Sequence, residues 1–157
     1  MRAGYARLKV LDVGAIAGTS YAKWQSWIDA TYIDLNPQAA HVHQSDFLSW
    51  PIGEKYSVVG LSLVINFVGD LGQRGAHLLT GAMLFHAHNY LAPLGYVYPV
   101  LRLACVSNSR YLTRAHLREI VDSAGYDVVR QEDSRKLTRW LLRHKSATEH
   151  APLSYGH

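Results

Sequence analysis

Residues 8 to 13, Leu-Lys-Val-Leu-Asp-Val, alternate and then run apolar into Gly14, the pattern of a strand that enters a core and stops at a turn. The next window, 19 to 28, carries Trp24, Trp27 and Ile28 at helical spacing and predicts a short helix. Residues 30 to 35 read as a second strand, and a third, short one fits His41 to Gln44, ending at Ser45-Asp46-Phe47. Ser57 to Val68 is rich in Val, Leu and Ile without alternation, as expected of a central parallel strand covered on both faces. Leu78, Leu79, Met83 and Leu84 then mark a helix within Gly72 to Leu91, and Pro93 and Gly95 punctuate the chain before a strand at Tyr96 to Leu101. Thr113 stands at an N-cap position ahead of Ala-His-Leu-Arg-Glu-Ile-Val, and Gly125 ends that helix. Tyr126 to Arg130 and Leu137 to Leu142 are too close for a parallel crossover, so they predict an antiparallel hairpin.

Alternating strands and helices that finish in a hairpin define an α/β architecture, and ligands of such sheets bind beyond the carboxyl ends of the strands. Two strings fall there: Asp12-Val-Gly14-Ala-Ile-Ala-Gly18 and, after the second strand, Asp34-Leu-Asn-Pro. An apolar run ending in Asp and a glycine-rich turn, followed by a second run ending in Asp, is how an α/β domain holds an adenosine-containing cofactor. A dinucleotide needs glycines where this chain has Ile16 and Thr19, so a diphosphate would meet a branched side chain. The pair therefore points to S-adenosylmethionine and to a Rossmann-like class I methyltransferase fold, a seven-stranded, mostly parallel sheet ending in an antiparallel hairpin. Gly14 permits the sharp turn and Gly18 a close approach; Asp12 would meet the cofactor amine, directly or through water, or else cap the turn. Asp34 would accept hydrogen bonds from both ribose hydroxyls. Asp46 would face the adenine amino group with Phe47 or Leu35 on the ring, and Ser62 would line the same crevice.

Length and composition narrow the picture. The chain has 157 residues, 48% of them hydrophobic, enough for one core and too few for two. We expect a single domain over residues 1–145 and a loose tail over 146–157. Cys105 is the lone cysteine, so neither an internal disulfide nor a thiolate metal site is expected. The opening residues lack the apolar core of a secretory signal and no run suits a membrane span; an intracellular, soluble protein with no membrane partner is the expectation. Charge is uneven: residues 1–100 hold six Lys/Arg and six Asp/Glu, whereas 101–157 hold ten against six. The whole excess lies in the last third, which is either a solvated face or a surface for a polyanion such as RNA. Nine histidines include His41-x-His43 and His86-x-His88, but neither pair has a third ligand at a recognisable spacing, so no metal is assigned.

Three further strings carry a family resemblance: Ile33-Asp-Leu-Asn-Pro-Gln38; Leu61-Ser-Leu-Val-Ile-Asn-Phe-Val68 with Gln73-Arg-Gly75; and Cys105-Val-Ser-Asn-Ser-Arg-Tyr111. Over about residues 8 to 142 the chain resembles the fungal large-subunit (25S) rRNA adenine-N(1)-methyltransferases and their animal relative, a sensor of S-adenosylmethionine upstream of TOR signalling. It departs from them at Ser57 and Gly60, and at Arg102 and Ala104, where that family favours other residues. Family members also carry a segment ahead of this domain.

The resemblance implies S-adenosylmethionine as cofactor, rRNA or a pre-ribosome as partner, and the nucleolus or nucleus as the location, with the cytoplasm as the alternative. It matches Asp12, Gly14, Gly18, Asp34, Asp46 and Phe47 to cofactor motifs, and Asn66-Phe67 and Asn108-Ser109-Arg110-Tyr111 to the substrate side. Adenine N1 is a nucleophile at neutral pH without a general base, so positioning would supply most of the catalysis. In that scheme Phe67 or Tyr111 stacks on the extruded base, Asn66 holds its Watson–Crick edge and Asn108 lies on the same side. Arg110, with Arg102, Arg114 and Arg118, grips flanking phosphates, unless these arginines merely decorate a solvated helix. The alternatives are a non-catalytic sensor that passes cofactor occupancy to a protein partner, and a structural protein.

Overall fold

The computed structural model describes residues 7–15, 18–62, 72–103 and 113–145. Seven strands form one sheet in the order β3-β2-β1-β4-β5-β7-β6. They are β1 (Leu8–Val13), β2 (Ile28–Asp34), β3 (His43–Gln44), β4 (Tyr56–Ser62), β5 (Leu91–Arg102), β6 (Tyr126–Asp133) and β7 (Leu137–His144). The first five are parallel, and β7 runs antiparallel between β5 and β6. From β1 the chain steps outward to β2 and β3, then returns to lay β4 on the other side of β1. That reversal between β1 and β4 is the switch point where open α/β sheets bind ligands.

Two α-helices, α1 (Gly72–Ala87) and α2 (Arg114–Ser123), pack together on one face of the sheet. Met83 and Leu84 of α1 and Leu117 and Val121 of α2 join Leu11, Val13, Val59, Leu61, Val97 and Leu101 in a continuous core. Trp140 of β7 is buried there with its indole N–H donating to Thr138 Oγ1 at 2.9 Å, so the largest core residue leaves no polar atom unpaired. Thr113 caps α2 as expected, its hydroxyl accepting from His116 N at 3.1 Å. Gly125, at φ +95°, turns the chain out of that helix.

Several expectations shift. The window 19 to 28 forms only a short 3-10 turn, Ala22–Trp24, and Ile28 opens β2. Trp24 and Trp27 stay 44% and 53% exposed, and a helix this short has little to hold it when its apolar side chains find no core. The third strand shrinks to two residues because His41 and Val42 belong to the preceding turn. β4 is seen as far as Ser62, and the remainder of the predicted strand to Val68 lies outside the described residues, as does the 146–157 tail. Pro93 and Gly95 do not end an element. They sit in an irregularity early in β5, where Leu91 pairs with Tyr56 and Tyr96 with Val58.

Replacing Thr113 by Ala removes the side-chain acceptor of the His116 amide at the start of α2 and should lower the unfolding free energy by about 1 kcal/mol. Urea titration checks this, with Thr113→Ser keeping most of the wild-type midpoint.

Candidate functional site

The ends of β1 and β2 are tied together by the turn between them. Gly14 N and Ala15 N both donate to Ile33 O, at 2.9 and 3.1 Å. Gly14 has φ +78°, and a Cβ on it would lie 3.1 Å from both Ser62 Cβ and Ser62 O. Glycine is thus required there twice, for the backbone conformation and for the approach of β4. The other end of the turn is closed differently. Gly18 has φ +66°, and a Cβ would lie 2.7 Å from Val42 Cγ2 and still nearer the His41 ring. His41 Nε2 in turn lies 2.8 Å from Gly18 O, so an imidazole from the β2–β3 connection latches the glycine-rich turn.

Beyond these strand ends lies a cavity of about 360 Å³, within the range of small-molecule and cofactor sites. Val13 and Gly14 at the end of β1, Ile33 and Asp34 at the end of β2, and Ser62 at the end of β4 form its base. Leu35, Asn36, Ser45, Asp46, Phe47 and Leu48 make one wall, and Leu79 and Met83 of α1 another. Asp34 is 8% exposed, and its Oδ1 accepts from Asn36 N at 2.8 Å. That bond sets the carboxylate at the cavity wall. Asp46 Oδ1 accepts from Leu48 N at 3.1 Å and caps the 3-10 turn Phe47–Ser49.

Of the residues expected to hold a cofactor, Gly14, Asp34, Leu35, Asp46, Phe47 and Ser62 line this one cavity. Phe47 is nonetheless core: 4% exposed, with ring centroids 5.0 Å from His86 and 5.3 Å from Tyr90. Leu35 and Leu48, 55% and 45% exposed, offer the open apolar surface instead. Gly18 is not among the lining residues, and its missing side chain makes room for His41 and Val42.

Asp12 also stands apart from the cavity wall. The residue is 7% exposed beneath the turn, with Ser20 as a hydrogen-bond partner of its carboxyl and Oδ2 buried without one. Burial pushes its pKa up to about 6; Ser20 opposes the shift and the charge of Asp34 adds to it. The Tyr21 phenol lies beside it, 3.3 Å from where Gly60 would carry a Cβ, and burial raises that phenol as well.

Asn66, Phe67, Asn108, Ser109, Arg110 and Tyr111 lie outside the described residues. Among the arginines set beside them, Arg114 pairs with Asp133 at 2.7 Å and Arg118 lies 5.0 Å above the Trp140 ring. Both hold α2 to the hairpin, the role of a decorated helix face, while Arg102 is exposed at the end of β5. The histidine pairs separate: His41 meets Tyr32 and His43 meets Trp50, whereas His86 bonds Tyr90 and His88 stacks on His144. Among the described residues no three His, Cys, Asp or Glu side chains gather as a metal site, and no helix is long and apolar enough to cross a membrane.

Sequence reasoning missed His41, Leu48, Leu79 and Met83 as parts of the site. Leu79 and Met83 carried a signal, their i, i+4 spacing, but that spacing marks an apolar face without saying whether the face meets core or cavity.

Comparison with known proteins agrees with this geometry. The chain is 30% identical over 132 residues to the 25S rRNA (adenine(2142)-N(1))-methyltransferase of Saccharomyces cerevisiae, covering 81% of this chain and 37% of that protein. It is 25% identical over 150 residues to the 25S rRNA adenine-N(1) methyltransferase of Schizosaccharomyces pombe, covering 89% of this chain and 53% of the relative. The chain therefore spans about half or less of the length of these relatives. Among solved structures, the O-methyltransferase NcsB1 from neocarzinostatin biosynthesis, in complex with S-adenosylmethionine, superposes with a TM-score of 0.64 at 16% identity, over 87% of this chain and 48% of that one. The fold is that of the class I methyltransferases. The model of the family described as 25S rRNA (adenine(2142)-N(1))-methyltransferase, Bmt2, matches residues 1–155, and the chain belongs to that family.

Proposed function

We propose that this chain is the S-adenosylmethionine-dependent domain of an RNA methyltransferase that modifies N1 of an adenine in large-subunit rRNA. The observation that carries the reading is the cavity at the β1/β4 switch point with Asp34 buried in its wall. A carboxylate has about four acceptor sites, enough to serve the Asn36 amide and a sugar diol together. Leu35 and Leu48 suit the faces of an adenine, and the Asp46 carboxylate suits its amino group. Ser62 at the end of β4 completes the rim. The buried, unpartnered Oδ2 of Asp12 beneath the same turn suits a cationic amine, reached directly or across a water. The residues present thus fit S-adenosylmethionine, which when bound supplies an electrophilic methyl group on a sulfonium.

The substrate nitrogen carries its own lone pair, so the chain need supply no general base. Its residues bind, orient and exclude water. Asn66 and Phe67 follow β4, and Asn108, Arg110 and Tyr111 follow β5, both strands that run toward the cavity end of the sheet. In this scheme Phe67 or Tyr111 stacks on the extruded adenine, Asn66 holds its edge, Asn108 lies beside it and Arg110 holds a flanking phosphate. Residues 1–145 form the domain and 146–157 its tail. The nucleolus is the proposed site of action, with a pre-ribosome presenting the RNA.

Labelled cofactor and unmodified large-subunit rRNA test the reading. Transfer of label to adenine N1 is the expected result, and tight cofactor binding without transfer would leave only a sensor. Asp34→Ala removes two hydrogen bonds to a charged acceptor, at about 1.5–3 kcal/mol each. Cofactor affinity should fall by at least about 100-fold, measured by calorimetry, while the unfolding midpoint stays near wild type.

Asp12 gives a pH test of the ligand-free fold. Its folded pKa of about 6 lies above the ordinary 3.8, so the unfolded chain loses this proton first as pH rises. Stability therefore declines between pH 4 and 6 and then holds a constant penalty of about 3 kcal/mol, at about 1.4 kcal/mol per pKa unit. Asp12→Asn should raise the thermal midpoint at pH 7.5, and the gain should vanish below pH 4 if the carboxylate is its source.

A further inference from the structure

α1 and α2 cover one face of the sheet, while the other face of the β5, β7 and β6 half carries no α-helix among the described residues. Half-buried Tyr96 and Tyr98 on β5 point away from the core that Val97 and Leu101 enter. Pairing sets Tyr96 opposite Arg143 and Val100 opposite Arg139, so rings and guanidinium groups share this surface. A shallow cavity of about 230 Å³ opens on it, lined by Tyr98, Arg130, Glu132, Arg139 and Leu141. Arg130 and Glu132 satisfy each other at 2.9 Å. Arg139 and Arg143 form no ion pair among the described residues, and Arg143 Nε is buried without a hydrogen-bond partner.

We propose that this face is a docking platform for single-stranded RNA, an inference that rests on the methyltransferase reading for the class of substrate. Unpaired bases stack on aromatic faces and phosphates pair with guanidinium groups; Tyr96 and Tyr98 are half-buried, and Arg139 and Arg143, although opposite Glu132 and Asp127 in the β6–β7 pairing, form no ion pair among the described residues, a combination that suits a polyanion with planar bases. It suits a covering protein helix less well, because Arg130, Glu132, Arg139 and Arg143 stand among Val58, Val100, Leu137 and Leu141 on this face. Position agrees as well. Val100 is level with Ser62 across the β4–β5 pair, and Ser62 lines the cofactor cavity. A strand of RNA lying on Tyr98 and Arg139 thus reaches the edge of the sheet where the methyl group would be transferred.

The test is fluorescence anisotropy with a labelled, adenine-containing single-stranded RNA oligonucleotide, alongside calorimetry with S-adenosylmethionine. Tyr98→Ala and Arg139→Glu should each weaken RNA binding by about tenfold or more. Tyr98→Phe should bind as wild type, since it keeps the stacking face. Arg139→Ala should reduce the slope of log affinity against log salt by about one. All four variants should keep their cofactor affinity within about twofold, a range small beside a one-bond loss, which shows that the fold and the cavity persist. Folded variants that bind RNA like wild type overturn the platform; if the wild type still methylates rRNA, the methyltransferase reading survives that failure. Conversely, RNA binding that depends on Tyr98 and Arg139, in a protein that transfers no methyl group to unmodified rRNA, supports the platform and rejects the enzyme.

Discussion

The site depends on one close approach, that of β4 to the turn after β1. With Ser62 lying 3.1 Å from where Gly14 would begin a side chain, and with Gly14 at φ +78°, any larger residue would be strained and would press β4 back by a few tenths of an ångström at the point where the sheet reverses. The same turn donates two amides to Ile33 O, so the ends of three strands are fixed by backbone alone. Asp34 and Ser62 then have defined backbone places, and the Asn36 amide after β2 sets the Asp34 carboxylate. His41 secures the far end of the turn through Gly18 O. Rigid strand ends and a latched turn form the kind of support on which a precise binding site is built.

How much of this was legible in the chain follows from how local each signal is. β1, the Thr113 cap, the Gly125 stop and the terminal hairpin each depend on residues within a few positions of one another, and each is found where the pattern puts it. Asp34 and Gly14 were legible because a strand end and a turn are short-range features. The helix expected over 19 to 28 failed because helical spacing does not reveal whether a core lies within reach. Gly18 was recognised as a glycine that must be a glycine, but one reason for it was not legible. The contact that needs it comes from His41, more than twenty residues away, and no local rule connects the two.

The two faces of the sheet are chemically unlike. Beneath α1 and α2 the strands present Leu11, Val59, Leu61, Val97 and Trp140, all buried. On the other face they present Asp12, Tyr32, Gly60, Tyr98 and Arg139. An ordinary covered face of an α/β sheet is apolar on both sides, and a carboxyl held near pKa 6 with an orphan oxygen is costly unless something repays it. In the proposed function a cationic amine would do so at Asp12, and in the proposed platform a polyanion would do so at the arginines farther along.

That division bears on catalysis itself. Methyl transfer to a nitrogen that already carries its lone pair gains little from acid or base chemistry, so its acceleration must come from holding two reactants in line. Under the proposed function the cavity would fix one of them. In the proposed reaction the other is an adenine within a long polymer, and contacts to the base alone would have to work against the freedom of the strand on either side. Binding the flanking nucleotides on a rigid sheet removes that freedom before the base enters the site, which is how interactions remote from the reacting atoms lower a barrier. A surface of rings and arginines on β5 and β7, continuous with the strand end that borders the cavity, meets this requirement. A fold built only to sense the cofactor would need the cavity and the latched turn but no such surface.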